Sequence, residues 1–180
     1  MDSAFMMTIA EAIADHGIRV VRFEFPYMAA RRVDGKRRPP NRTNDLIAAW
    51  SHVVETLGDP ARLVIGGKSL GGRIASMIAD EHRVAGLVCF GYPFHPPGKP
   101  DKPRTEHLRE LATPTLILQG ERDPFGTRDE VPDYELAKSI RVEWLPDGDH
   151  GWKPRVRSGH TEAENLARAA AVAAEFVRSV

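Results

Sequence analysis

The chain has 180 residues, 42% apolar and 28% charged, which suits one globular domain, 1–180, with a sizeable core. Its 25 basic and 25 acidic residues cancel and its sequence pI is about 7.1, so overall charge names no partner. No window has the length of a membrane span and the amino end has no basic-then-apolar pattern, so the cytoplasm is the default location. The single cysteine, Cys89, excludes an internal disulfide and a thiolate zinc site.

Residues 1–16 read as a helix with Phe5, Met6, Ile9 and Ile13 on one face, Asp2 or Ser3 as cap and Gly17 as stop. The alternation in Ile18–Phe25 (IRVVRFEF) reads as a strand. Pro26 and Tyr27 then open a long basic loop, in which residues 29–44 set Arg31, Arg32, Lys36, Arg37, Arg38 and Arg42 against Asp34 alone. Asn41–Thr43 is formally a glycosylation sequon, with no secretory context to give it meaning. Thr43 then caps a helix whose stripe of Leu46, Ile47, Trp50, Val53, Val54 and Leu57 faces a core. Gly58 and Pro60 end it. Trp50 is thereby a core residue and His52 a surface one.

The most informative stretch is RLVIGGKSLGGR, residues 62–73. Arg62–Ile65 read as a buried strand, and Leu70–Asp80 as a helix with Leu70, Ile74, Met77 and Ile78 on one face. Gly67-Lys68-Ser69-Leu70-Gly71 therefore spells GxSxG at a strand-to-helix turn. Flanking glycines let neighbouring backbone approach the serine, whose Oγ projects from the sheet. The amide after it, that of Leu70, can face a developing oxyanion. By composition alone the pattern arises in about one such chain in fifteen to twenty, so the rest of the chain must supply a base and a group to orient it.

Val84–Phe90 reads as another buried strand, with Cys89 as a small core residue. The proline-rich stretch 91–104 follows, and before the next strand at 114–119 there is room for one short helix near 106–111, but not for a lid. Gly120-Glu121-Arg122-Asp123-Pro124 comes directly after that strand. A short helix is expected over 131–140 and a last strand over 141–145, leading into Pro146-Asp147-Gly148-Asp149-His150-Gly151. The final helix, 161–178, opens on a Thr161/Glu164 capping box and buries Leu166, Ala170, Ala173 and Val177. Strands alternating with helices predict an α/β three-layer sandwich whose mostly parallel sheet is covered on both faces.

GxSxG after one strand, GxxDP after a later one and GDHG after the last resemble an α/β-hydrolase. GKSLGGR resembles the elbow of its small, lidless, dienelactone-hydrolase-like branch. The resemblance spans essentially the whole chain. It implies Ser69 as nucleophile, Asp123 as orienting acid, His150 as base and the Leu70 N–H as oxyanion donor, with no cofactor or metal. In that family a central strand ending in HGxGx precedes the opening helix and supplies a second oxyanion amide. This sequence lacks both, so Met1 reads as an internal methionine of a longer reading frame or as a cut. The alternative is direct pairing of 18–25 with Leu63–Gly66.

His95 and His160 are the rivals for the base, and Asp129, Asp147 and Asp149 for the acid. His95 precedes the acid in sequence, while Asp123 alone follows a strand end between nucleophile and base. A phosphate-binding loop ending in Gly67-Lys68-Ser69 fails because Arg62 stands where that motif needs glycine. The loops at 25–44, 91–104 and 146–160 carry many lysines and arginines to one rim, so an anionic ester, an anionic thioester or an acidic partner is expected there. The expected function is cofactor-free hydrolysis of a small soluble ester or thioester. The alternative is a catalytically impaired hydrolase fold acting as a binding module, a role the branch's resemblance to a subunit of the non-specific lethal chromatin complex leaves open. Nucleic acid is not an expected partner, because the basic run lacks interleaved aromatics.

Overall fold

A computed structural model describes residues 3–180; Met1 and the alternative cap Asp2 lie outside the described residues. Four strands, β1 (Val64–Lys68), β2 (Gly86–Phe90), β3 (Thr115–Gly120) and β4 (Ile140–Leu145), form one parallel sheet in the order β1-β2-β3-β4. Helices α1 (Ala4–Ala14), α2 (Pro26–Asp34), α3 (Thr43–Leu57), α4 (Leu70–His82) and α5 (Glu162–Ser179) complete the chain. Among the described residues no helix is long and apolar enough to cross a membrane.

Successive strand residues supply opposite faces, and both faces are buried, which is why β2 and β3 read as continuous apolar runs. Leu87, Cys89 and Ile117 pack with Leu46, Trp50 and Val54 of α3 and Ile74 and Ile78 of α4. Val88, Phe90, Leu116 and Leu118 pack on the other face with Ile9 and Ile13 of α1 and Ala169, Ala170 and Ala173 of α5. These are the three layers of an α/β sandwich. Burial holds the Cys89 thiol well above its usual range, so it acts as a small core group. Trp50 is 7% exposed, and its indole N–H donates to the Gly71 carbonyl at 3.2 Å, which fastens α3 to the start of α4.

Three expectations need correction. Ile18–Phe25 belongs to no strand, and Val20 and Val21 stand exposed. A strand exists only when a neighbour completes its ladder. Here β1 lies across a cavity of about 860 Å³, lined by Val20, Val21, Phe23, Trp50, Ile65 and Val88 among others. Direct pairing of 18–25 with 63–66 is not observed, and among the described residues β1 pairs only with β2. The start of the basic loop is instead α2, with Pro26 in its first turn, where a missing N–H costs nothing, and Gly35 closing it in the left-handed region at φ 70°. The helix expected over 131–140 shrinks to one 3-10 turn, Val131–Asp133, before β4. In addition, α3 is preceded by Arg42 with no side-chain cap, in place of the expected Thr43.

The amino cap is Ser3, whose Oγ accepts from Met6 N at 3.3 Å. The Thr161/Glu164 capping box is present, and one turn later the buried Asn165 side chain donates to the Pro146 and Trp152 carbonyls at 3.0 and 2.8 Å. That bond pair holds the loop after β4 against α5. Replacing Asn165 with Ala leaves two buried carbonyls unpaired, so we expect a loss of about 1–3 kcal/mol. Thermal unfolding should register it as a fall of roughly 2–4 °C per kcal/mol.

Candidate active site

The chain makes the β1-to-α4 turn in a conformation few residues accept. Ser69 has φ 53° and ψ −115°, and it keeps one ladder bond, from its N–H to the Phe90 carbonyl at 3.1 Å. The turn works because the strand and helix backbones touch. A Cβ on Gly67 would lie 2.6 Å from the Gly71 carbonyl carbon and 2.8 Å from Gly72 N, and one on Gly72 would lie 2.6 Å from the Gly67 oxygen. The first bond of α4 runs from Arg73 N to the Ser69 carbonyl, so the Leu70 N–H is one of the helix's unbonded first-turn donors, where the helix dipole is positive. Ser69 and Leu70 also line the cavity beside β1.

Asp123 and His150 stand beyond the carboxyl ends of β3 and β4, and these ends are paired through Gly120 and Leu145. The His150 Nδ1 lies 2.8 Å from Asp123 Oδ2. Asp123 is fully buried and His150 is 25% exposed by side chain, so one end of the imidazole is tied inside while the ring reaches solvent. The other carboxylate oxygen of Asp123 accepts from Phe125 N at 2.9 Å, and the Phe125 ring lies 4.4 Å from the imidazole. The carboxylate accepts a hydrogen bond from Nδ1–H, which leaves Nε2 as the basic nitrogen. Among the described residues Ser69 Oγ makes no hydrogen bond to His150, a looseness common in unliganded sites.

The rivals have other partners. His95 is 2% exposed, with Nδ1 2.8 Å from the Pro96 carbonyl and Nε2 3.5 Å from Glu130. His160 is exposed ahead of α5, and Asp129 is exposed. Asp147 pairs with Arg155 and Arg122; the Arg155 bond first of all pulls its carboxyl down to about 2. Asp149 accepts from Gly151 N and Lys153 N at 2.8 and 3.0 Å, which folds its own loop.

A second serine–histidine contact exists on α4. Ser76 Oγ lies 2.8 Å from His107 Nε2, but the serine is 2% exposed and its hydroxyl also donates to the Arg73 carbonyl at 2.7 Å. Asp80 spends its carboxylate on Ala112 N, Thr113 N and the Thr113 hydroxyl, so it caps the lead-in to β3 and does not orient His107.

Two residues that sequence reasoning passed over organise the rim. Gln119, fully buried at the end of β3, accepts from Tyr92 N at 2.7 Å and donates to the Tyr92 and Gly126 carbonyls. It ties the loop after β2 to the loop that carries Asp123. Lys68, which precedes Ser69 in the elbow, donates from Nζ to the His150 carbonyl. The only sequence signal for either is a polar side chain inside an otherwise apolar strand.

Solved structures share this arrangement of layers. An esterase domain from Rhodothermus marinus is similar at TM-score 0.66 and 18% identity, over 97% of this chain and 79% of its own. An alpha-beta serine hydrolase homologue from Coxiella burnetii gives 0.68 and 19%, over 100% and 77%. A lidless serine hydrolase from Xanthomonas campestris gives 0.67 and 19%, over 99% and 74%. At these identities the likeness is one of fold. The stretch between β2 and β3 likewise has no lid, only the single 3-10 turn Glu106–Arg109. Sequence agreement reaches further, since residues 1–178 match the family described as an alpha/beta hydrolase domain, and the chain belongs to that family.

Proposed function

We propose that this chain is a serine hydrolase that cleaves a small ester or thioester through an acyl-enzyme on Ser69. The observation that carries the reading is the 2.8 Å contact between His150 and the buried Asp123, on the same rim as a serine held at positive φ. In this mechanism the His150 Nε2 takes the hydroxyl proton as Ser69 Oγ bonds to the acyl carbon. The carbonyl oxygen becomes an oxyanion facing the Leu70 N–H. Its collapse breaks the bond to the alkoxide or thiolate, which leaves with the proton from His150. Water then repeats the sequence, releases the acid and restores Ser69.

The elbow GKSLGGR, the absence of a lid between β2 and β3 and the likeness to a lidless Xanthomonas campestris hydrolase support placing the chain in the small dienelactone-hydrolase-like branch. The rim supports an anionic substrate or an acidic partner. Arg38 pairs with Asp34, and Arg155 with Asp147, which mutes part of the positive charge, while Lys99, Lys102 and Arg157 make no ion pair among the described residues. A second reading, a binding module without turnover, is favoured by one observation. Only one oxyanion amide is identified, and the outer edge of β1 faces the cavity where another strand's loop would bring the second. One missing donor costs about 10² to 10³ in rate.

The assignment is tested by steady-state hydrolysis of short acyl esters. Ser69→Ala should remove acyl-enzyme formation, and Asp123→Asn, with the wrong tautomer favoured at His150, should lower kcat by about 10⁴. Retained turnover in Ser69→Ala contradicts the reading, and a folded wild type with no turnover favours the binding module. Between anionic and neutral acyl esters of matched length, the anionic one should have the higher kcat/KM, with an advantage that shrinks as salt is added. Equal values with no salt dependence contradict the charged rim.

A further inference from the structure

Lys68 has no role in the steps above, yet its ammonium is held out of water beside two aromatic rings. Its Nζ donates to the His150 carbonyl and lies 4.7 Å from the Phe5 ring centroid on α1 and 5.4 Å from that of Trp152. Trp152 is itself fully buried, two residues after the base in the same loop. The groups of opposite charge that face the ammonium are Asp123, after β3, and Asp149, after β4. The loop after β2 contributes Gly91, at φ 69°, where a Cβ would lie 2.7 Å from Nζ and 3.3 Å from His150 Nδ1. The ammonium and the imidazole therefore share one small space, which a side chain at 91 could enter only by displacing Lys68 Nζ.

Desolvation pulls the Lys68 ammonium down to about 8, with Asp123 and Asp149 opposing it. The folded-state value lies below the 10.5 of an ordinary lysine, so the folded chain releases this proton more readily than the unfolded one. The charged lysine thus lowers stability near neutral pH, and that cost fades as pH rises from about 8 to about 10.5. An apolar residue packed against Phe5 and Trp152 would avoid the cost entirely. A side chain retained for stability alone would not be a lysine.

We propose that Lys68 is a positioning residue for the base: it holds the His150 carbonyl while Asp123 holds the His150 ring, and the two holds together aim Nε2 at the neighbouring Ser69. Nucleophile strand and base loop are thereby joined directly, through adjacent residues of the elbow. The inference rests on the reading of Ser69 and His150 given above. An ammonium makes this charge-assisted bond more strongly than the neutral amine, so the hold weakens as Lys68 loses its proton.

The test compares wild type, Lys68→Met and Lys68→Arg by thermal unfolding, hydrogen exchange and hydrolysis of a p-nitrophenyl ester across pH. For Lys68→Met near neutral pH we expect an unfolding midpoint at or above that of wild type. Exchange across 146–152 should be about tenfold faster, with α4 and α5 unchanged. Its kcat should fall about tenfold with KM unmoved. Lys68→Arg, which keeps a charged donor, should recover part of both losses. Wild-type kcat should decline above pH about 8, and Lys68→Met should lack that limb. Wild-type exchange across 146–152 in Lys68→Met overturns the proposal whatever the turnover. A lowered midpoint with kcat falling only in step with the folded fraction overturns it too, as a merely structural role. Accelerated exchange with no turnover in any protein contradicts the nucleophile assignment and leaves the hold on the loop standing. If Lys68→Met does not fold, the wild-type alkaline limb and the exchange of Lys68→Arg decide.

Discussion

The site depends first on how closely one strand and one helix approach. Between Gly67 and Gly71–Gly72 the backbones of β1 and α4 are in contact, with no volume left for a side chain on Gly67 or Gly72. That contact forces the connecting residue into a conformation with φ 53°, and the residue there is Ser69. The strain, of order 1–3 kcal/mol for a non-glycine residue, is offset by the packing of Ile74 and Ile78 beneath it and by the Trp50 bond to Gly71. A side chain exposed on a sharp turn, beside an unbonded helix amide, follows from the packing before any chemistry is considered.

The proposed base is held by the opposite strategy. His150 lies in a loop, and loops are mobile unless fastened. Asp123 takes the ring, Lys68 the carbonyl, Asn165 the carbonyls of Pro146 and Trp152, and Asp149 closes the loop on itself. These fastenings come from the end of β3, from β1, from α5 and from the loop itself, so the sheet and the α1/α5 layer both contribute to one imidazole's position. Gln119 does the same for the loop bearing Asp123. The sheet's parallel order gathers these loops at a single edge.

Much of this was legible in the residues. Burial on both faces made β2 and β3 continuous apolar runs, the α4 stripe has helical period, and Thr161 with Glu164 spelled out the α5 start. Ser69, Asp123 and His150 are singled out by order and by position after strands, and of these the structure joins His150 to Asp123. What failed were elements whose outcome is decided by neighbours. Ile18–Phe25 has the alternation of a strand, but alternation cannot supply the ladder partner that this face of β1 lacks. The α2 segment reads as loop because its residues are basic, although Pro26 and Gly35 mark its ends. The expected helix over 131–140 shows only Leu136 and Ile140 four apart on one face, and the buried Val131 is held by a single 3-10 turn instead. The roles of Lys68 and Asn165 join positions remote in the chain, so no local pattern marks them.

The central claim is that Ser69, activated by His150 and Asp123, is a nucleophile in this polypeptide. Intact-mass analysis after fluorophosphonate treatment, with peptide mapping and Ser69→Ala as control, tests it most directly. The account predicts one adduct per folded chain, on Ser69 and absent from Ser69→Ala. A folded protein that takes no adduct, or one that takes it on Ser76 or another serine, would contradict it.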